Sequence, residues 1–539
     1  YRRQRQMCIR DSCYSVPDER SAMYFAIGIY LQTGELVAVS CTSAQATRNY
    51  IPGLTEAFYK HAPILAITTS KLERFQYQDY MQAPDQMSLP VDSVKRSFDL
   101  PPVTDDNTRM QCINSAREAM LELTHRNPGP IQLNIRIVDV QQGQFEQVEL
   151  PVIRTIKRYM AWDEWSDVDL GGKRVLVIIG EHRPFTQRQK DALDNFCTGY
   201  NVVVYVNHLS NYHGIYSIQG NLLVSCGGLK HLNPDIIITI GGQTGDYSIY
   251  NALNLTKNTE HWRVCEDGNV VNTYNRLNKI FECPAFYFFN RMKKDMQVDH
   301  SYYEEWKNMN STMNYNVEVP FSNLYVAQQL YKDIPQNSIM NFAILNSLRS
   351  WSYFPLNTSI QGYANVAAFG IDGCNSMLIG ESMNTNEFCF IVTGDLAFFY
   401  DMNALGNRHL GNNLRILLVN NGKGCEFTHH LNPGHIFEEN VNQYIAAAGH
   451  YGNQSPTLVR DYACNLGMDY LTANTKETFL ANMEAFVNPV INNSCVFEVF
   501  TRDIDENEAL KIMANVASMK HQIKEGIKST VGEKGIKFI

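Results

Sequence analysis

Short apolar runs recur along the chain, and stretches of helical length separate them. Leu36-Val-Ala-Val-Ser40, Ile64-Leu-Ala-Ile-Thr68 and Ile131-Gln-Leu-Asn-Ile135 come first, the last of them after Pro128-Gly-Pro130. Lys173-Arg-Val-Leu-Val-Ile-Ile-Gly180, Asn201-Val-Val-Val-Tyr-Val206 and Asp235-Ile-Ile-Ile-Thr-Ile-Gly-Gly242 follow. Phe388 to Val392, Ile416 to Val419 and Cys495-Val-Phe-Glu-Val-Phe500 close the series. Alternation of strand and helix, with strands apolar on both faces, predicts an α/β protein whose parallel sheets are covered by helices. A chain of 539 residues is too long for one core. The pattern predicts three such domains, 13–155, 165–325 and 326–539, with a linker rich in Asp and Trp around Trp162-Asp-Glu-Trp-Ser-Asp167.

Polar residues at the carboxyl ends of strands are where open α/β sheets bind ligands, and one pair of runs carries them. The run ending at Val392 meets Gly394-Asp395, and the run ending at Val419 meets Asn420-Asn421, 421 − 395 = 26 residues later, one βαβ crossover on. Asp395 offers a carboxylate, Asn421 an amide oxygen, and the Gly422-Lys423-Gly424 turn a backbone carbonyl at Lys423. Three oxygen ligands suit Mg²⁺, which prefers octahedral oxygen coordination and fills its other positions with phosphate oxygens. A helix starting near Phe398 would turn its first amides toward the same anion. The unit reads as a cradle for a metal and a diphosphate.

Charge and composition remove other classes. A net charge of −9 leaves no basic footprint for nucleic acid. No apolar run is long enough to span a bilayer, and no secretory signal is present. Thirteen cysteines fall without a CxxC pair, which points away from a zinc ribbon or disulfide scaffold and toward reduced thiols in a cytoplasm. The chain begins at Tyr1, and its first twelve residues hold four arginines with no periodicity. They resemble translated sequencing-adapter sequence, so residues 1–12 are expected to be non-native and the first domain to lack its opening strand and helix.

Gly394-Asp395 with Asn420-Asn421 resembles the cofactor motif of the thiamine diphosphate-dependent enzymes, with Leu396 at its third place. Leu396, followed by Tyr400-Asp401-Met-Asn403, is similar to the branch that makes 2-succinyl-5-enolpyruvyl-6-hydroxy-3-cyclohexene-1-carboxylate, the MenD-like synthases. Asp18-Glu19-Arg20 at the start of a helix resembles the same branch, as does Asn365-Val-Ala-Ala-Phe-Gly-Ile-Asp-Gly373. The resemblance implies thiamine diphosphate and Mg²⁺ as cofactors, decarboxylation of a 2-oxo acid, and transfer of the remaining fragment to an acceptor. It implies that Gly394, Asp395, Leu396, Asn421 and Lys423 bind the cofactor and its metal. Ile371 would wedge the cofactor into its bent shape, and Glu19 would hold a proton against the pyrimidine ring. Without the resemblance, Glu19 is an ordinary acid complementing a helix dipole, and Ile371 a packing residue.

Substrate recognition departs from the branch. Its cations would pair dicarboxylates, yet Val366 and Trp351 stand at two of their places and Asp246-Tyr247 at a third. Lys71, Gln82 and Ser347 complete the candidate substrate contacts. Isochorismate with 2-oxoglutarate is therefore expected to be a poor pair. A simple decarboxylase and a non-catalytic subunit are the alternatives. His429 and His430, just after the metal turn, are acid/base candidates, with a solvated loop as the plainer reading. Because Glu19 and Asp395 lie in different domains, the resemblance implies a homodimer or homotetramer.

Overall fold

The computed structural model describes residues 13–138, 154–296, 298–383, 385–430, 432–445, 447, 455–488 and 493–516. The expectation that residues 1–12 are foreign lies outside them. The chain divides into two compact units, Tyr1–Arg158 and Tyr159–Ile539. The expected central and third divisions thus fall together in the second.

The first unit is built on four parallel strands, β1 (Val37–Ser40), β2 (Ile64–Ser70), β3 (Arg96–Leu100) and β4 (Ile131–Arg136), in the order β1-β2-β4-β3. Helix Glu19–Thr33 precedes them. It starts where the Asp18 carboxylate accepts the backbone N–H of Arg20 at 2.9 Å and of Ser21 at 3.4 Å. It stops at Gly34, whose φ of 70° only glycine adopts freely. Met23, Ala26 and Ile27 form its buried stripe and pack with Leu54, Ala57 and Ile64.

The second unit holds two sheets. The first contains β5 (Lys157–Met160), β6 (Val175–Ile179), β7 (Val202–Val206), β8 (Ser217–Gln219), β9 (Ile236–Ile240), β10 (Glu260–Cys265) and β11 (Leu277–Glu282), in the order β5-β11-β10-β9-β6-β7-β8. Every residue of β6 and β7 is buried, as the unbroken Val and Ile runs require of strands covered on both faces. The second contains β12 (Ile339–Phe342), β13 (Gln361–Ala364), β14 (Cys389–Gly394), β15 (Leu414–Asn420), β16 (Asp469–Ala473) and β17 (Cys495–Phe500). Its order is β13-β12-β14-β15-β17-β16, parallel throughout.

Two boundaries differ from the sequence pattern. β14 runs through Thr393 and Gly394, which still pair with Leu418 and Val419, so backbone pairing carries the strand past its apolar run. The next helix, Asp395–Tyr400, starts three residues before Phe398. Among the described residues no helix is long and apolar enough to cross a membrane.

Candidate active site

β14 and β15 are neighbours, and their parallel register sets Gly394 beside Val419, so Asp395 and the turn after Asn420 emerge at the same sheet edge. Asp395 is 2% exposed. Its Oδ2 accepts the backbone N–H of Gly422 at 2.7 Å and its Oδ1 that of Leu396 at 2.7 Å. Asn421 Oδ1 accepts the N–H of Lys423 at 3.2 Å, which shapes the turn around Gly422, at φ 90°. The Lys423 ammonium is paired with Asp503 at 2.5 Å, leaving the residue's carbonyl oxygen, which meets the Cys425 thiol at 3.7 Å, as its candidate metal donor.

This donor set of one carboxylate, one amide oxygen and one carbonyl fits Mg²⁺. A carboxylate oxygen carries two lone pairs, so one backbone contact does not exhaust it as a ligand. A Cβ placed on Gly394 would meet nothing within 4 Å, so there is room in front of the strand end. Ile371 is half-buried and touches both apolar cores that flank this sheet.

A cavity of about 280 Å³ in the same unit is lined by Leu345, Arg349, Phe369, Glu426, His429 and His430, among others. Leu345 and Phe369 have positive φ, 64° and 60°, an uncommon backbone state for side-chain-bearing residues and one that clusters at functional sites. The histidine rings stand 4.5 Å apart. Burial, then the Arg349 charge, depresses His429 to about 3, and burial lowers His430 too. At neutral pH His429 is therefore an uncharged imidazole, able to hydrogen-bond a substrate but a weak base while the cavity is empty.

Arg349 is the residue that sequence reasoning missed. Its two terminal nitrogens contact the Glu426 carboxylate at 3.2–3.3 Å. Trp351, two residues along helix Asn346–Ser352, is rotated by about 200° and lies wholly buried near Phe342, its carbonyl accepting from His208 Nε2 at 2.9 Å. Helical phase would have separated the two positions, because residues two apart never share a face.

The remaining candidates divide similarly. Val366 is fully buried against Gly245, and Ser347 is buried with Asn323 Nδ2 at 3.4 Å from its Oγ. Asp246 caps helix Tyr247–Asn254 by accepting the N–H groups of Ser248 and Ile249, and it also accepts from Tyr205 and Asn221. In the first unit Glu19 Oε2 accepts from Asn49 Nδ2 at 3.2 Å. Gln82 is exposed at φ 57° and lines a shallow cavity with Tyr80, over whose ring the Lys71 ammonium stands at 6.0 Å.

Residues 9–89 match the family described as thiamine pyrophosphate enzyme, N-terminal TPP binding domain. The chain is 30% identical over 505 residues to the 2-succinyl-5-enolpyruvyl-6-hydroxy-3-cyclohexene-1-carboxylate synthase of Phocaeicola vulgatus, covering 91% of this chain and 88% of that one. It is 29% identical over 524 residues to the synthase of the same name from Bacteroides fragilis, covering 93% and 91%. The corresponding synthase of Flavobacterium johnsoniae is 27% identical over 522 residues, covering 93% and 90%.

Proposed function

Since the chain belongs to the 2-succinyl-5-enolpyruvyl-6-hydroxy-3-cyclohexene-1-carboxylate synthase family of thiamine diphosphate-dependent enzymes, we propose that it decarboxylates a 2-oxo acid bearing a second carboxylate and joins the remaining acyl fragment to an acceptor. Asp395, Asn421 and the Lys423 carbonyl would hold Mg²⁺ and through it the cofactor diphosphate. Gly394 and Leu396 would border the cofactor, and Ile371 would support its bent shape. When bound, the cofactor supplies the electron sink that decarboxylation of a 2-oxo acid needs. Glu19 would hold a proton at the pyrimidine ring, and His429, as an uncharged imidazole, would hydrogen-bond the reacting substrate.

The observation that carries the choice of an acidic substrate is the Arg349 guanidinium in the cavity with His429. The cations absent at 351 and 366 argued for a less acidic substrate, but both side chains lie in the core. Arg349 answers that argument with a cation at the cavity wall, which a substrate carboxylate would share with Glu426. A homodimer or homotetramer and a cytoplasmic setting belong to the same proposal; for the latter, none of the cysteines among the described residues is in a disulfide.

The test is CO₂ release from 2-oxoglutarate and from pyruvate by the full chain with thiamine diphosphate and Mg²⁺, followed by product analysis with isochorismate as acceptor. Preference for 2-oxoglutarate is expected. Preference for pyruvate would overturn the acidic-substrate reading and leave the cofactor assignment standing.

A further inference from the structure

The cavity that holds Arg349 also holds the carboxylate already paired with it. Arg349 lies on helix Asn346–Ser352, and Glu426 on the turn Cys425–Thr428 that directly follows the metal turn. Glu426 Oε2 accepts from both terminal nitrogens of Arg349, at 3.2 Å each, and Oε1 accepts from Nη2 at 3.3 Å. A carboxylate so placed covers the edge of the guanidinium that would otherwise receive a substrate carboxylate.

The grip is loose. Charge-assisted N–H···O bonds close to about 2.7–2.9 Å, and all three contacts are longer. The two side chains are 21% and 30% exposed, and an ion pair open to water holds weakly. The turn itself is tied independently, because the Glu426 carbonyl accepts the His429 N–H at 3.2 Å. The carboxylate can therefore leave Arg349 by rotating its own side chain, with the backbone in place. Asp246, the other carboxylate lining the cavity, does not compete, since Tyr205, Asn221 and the N–H groups of Ser248 and Ile249 already engage it.

We propose that Glu426 is a specificity-determining residue that stands in for the substrate's second carboxylate while the cavity is empty, so that an acidic 2-oxo acid gains Arg349 only by displacing it. The inference rests on the acidic-substrate reading above. In the empty cavity Glu426 spares Arg349 the cost of a half-buried cation without a partner, and it keeps the guanidinium aimed at the cavity. When a dicarboxylate arrives, the two anions compete for one cation and repel each other. Glu426 thus sets how tightly an acidic substrate is held, and a 2-oxo acid without a second carboxylate meets a charge that is already balanced.

Glutarate has both carboxylates of 2-oxoglutarate but no oxo group, so it binds without being decarboxylated. It is titrated calorimetrically into the full chain saturated with thiamine diphosphate and Mg²⁺. Glu426→Gln is expected to bind it about fivefold more tightly than the parent protein, the upper end of what a partly exposed ion pair resists. The KM of that variant for 2-oxoglutarate should fall relative to its KM for pyruvate. Glu426→Asp, which keeps the charge on a shorter side chain, should lie between the two proteins and serves as the test should Glu426→Gln fail to fold. Glutarate binding no tighter than parental in the folded variants, an equal gain for pyruvate, or no glutarate binding to any of the proteins at millimolar concentration would overturn the proposal. Tightened glutarate binding in a protein that nevertheless prefers pyruvate would leave Glu426 as the guard of Arg349 and remove only the acidic-substrate reading.

Discussion

Asp395 Oδ2 accepts the Gly422 backbone N–H at 2.7 Å, which ties the end of β14 to the turn after β15. Asp395→Ala would remove a candidate metal ligand and this tie together. Loss of groups that merely support a ligand costs about 10–100-fold in metal affinity. Thiamine diphosphate binding in Mg²⁺, measured by calorimetry, is therefore expected to fall by more than about a hundredfold. Affinity equal to that of the parent protein would exclude this site.

Glu19→Gln keeps the size of the side chain and the Asn49 contact but cannot exchange a proton. Cofactor affinity should hold while turnover drops by about 10²–10⁴-fold, the usual scale of acid–base assistance. Near-parental turnover would reduce Glu19 to a helix-terminus acid.

Arg349 and Trp351 should separate cleanly. Arg349→Ala is expected to raise KM for an acidic 2-oxo acid by at least about tenfold, a conservative figure for removing the cation that pairs a bound carboxylate, with the urea midpoint little changed because the Arg349–Glu426 pair is partly exposed. Trp351→Ala should cost about 3–5 kcal/mol of stability through the cavity it leaves. If it were Trp351→Ala that altered KM in folded enzyme, the cleft would have been assigned to the wrong face of the helix.

Burial raises Glu381 from 4.5 to about 7 against the opposing hydrogen bonds of Asn341. A carboxyl raised in the folded state favours folding most when protonated. Its contribution is therefore complete below pH 4.5 and is lost as pH rises to about 7. Glu506, also raised to about 7 by burial, acts in the same direction. Because buried histidines such as His429 pull the other way, the test is a difference: from pH 4.5 to about 7 the denaturation midpoint of Glu381→Gln should gain on that of the parent protein, and an identical pH dependence would show that the group does not titrate there.

Helix Glu19–Thr33 buries one stripe and leaves Tyr24 and Leu31, seven residues apart and so on one face, 46% and 62% exposed. Apolar side chains in such a row suit a subunit contact. Light scattering should give a dimer or tetramer, and Leu31→Asp should shift it toward monomer. A monomeric parent protein of full activity would remove the assembly from the proposal.

Strand-end chemistry was legible because apolar runs stop at Gly-Asp and Asn-Asn, and the register of β14 with β15 brings those ends together. The strand limits were less so, since Thr393 and Gly394 remain in the ladder on backbone pairing that no side-chain pattern reports. Arg349 was not picked out because spacing was counted along the chain, whereas a helix turns each residue about 100° from the last. Val366 could not be read at all, because the residue that explains its size, Gly245, belongs to another sheet's loop.

That contact reaches beyond packing. A Cβ on Gly245 would lie 2.8 Å from both Val366 Cγ1 and Leu348 Cδ2, so the space beside the glycine is already spent. An arginine at 366 would need that space too, and a larger residue at 245 would need a smaller one opposite. The two positions are coupled: a larger side chain at either one overpacks the shared space unless the other shrinks, so the double change should not equal the sum of the two single ones.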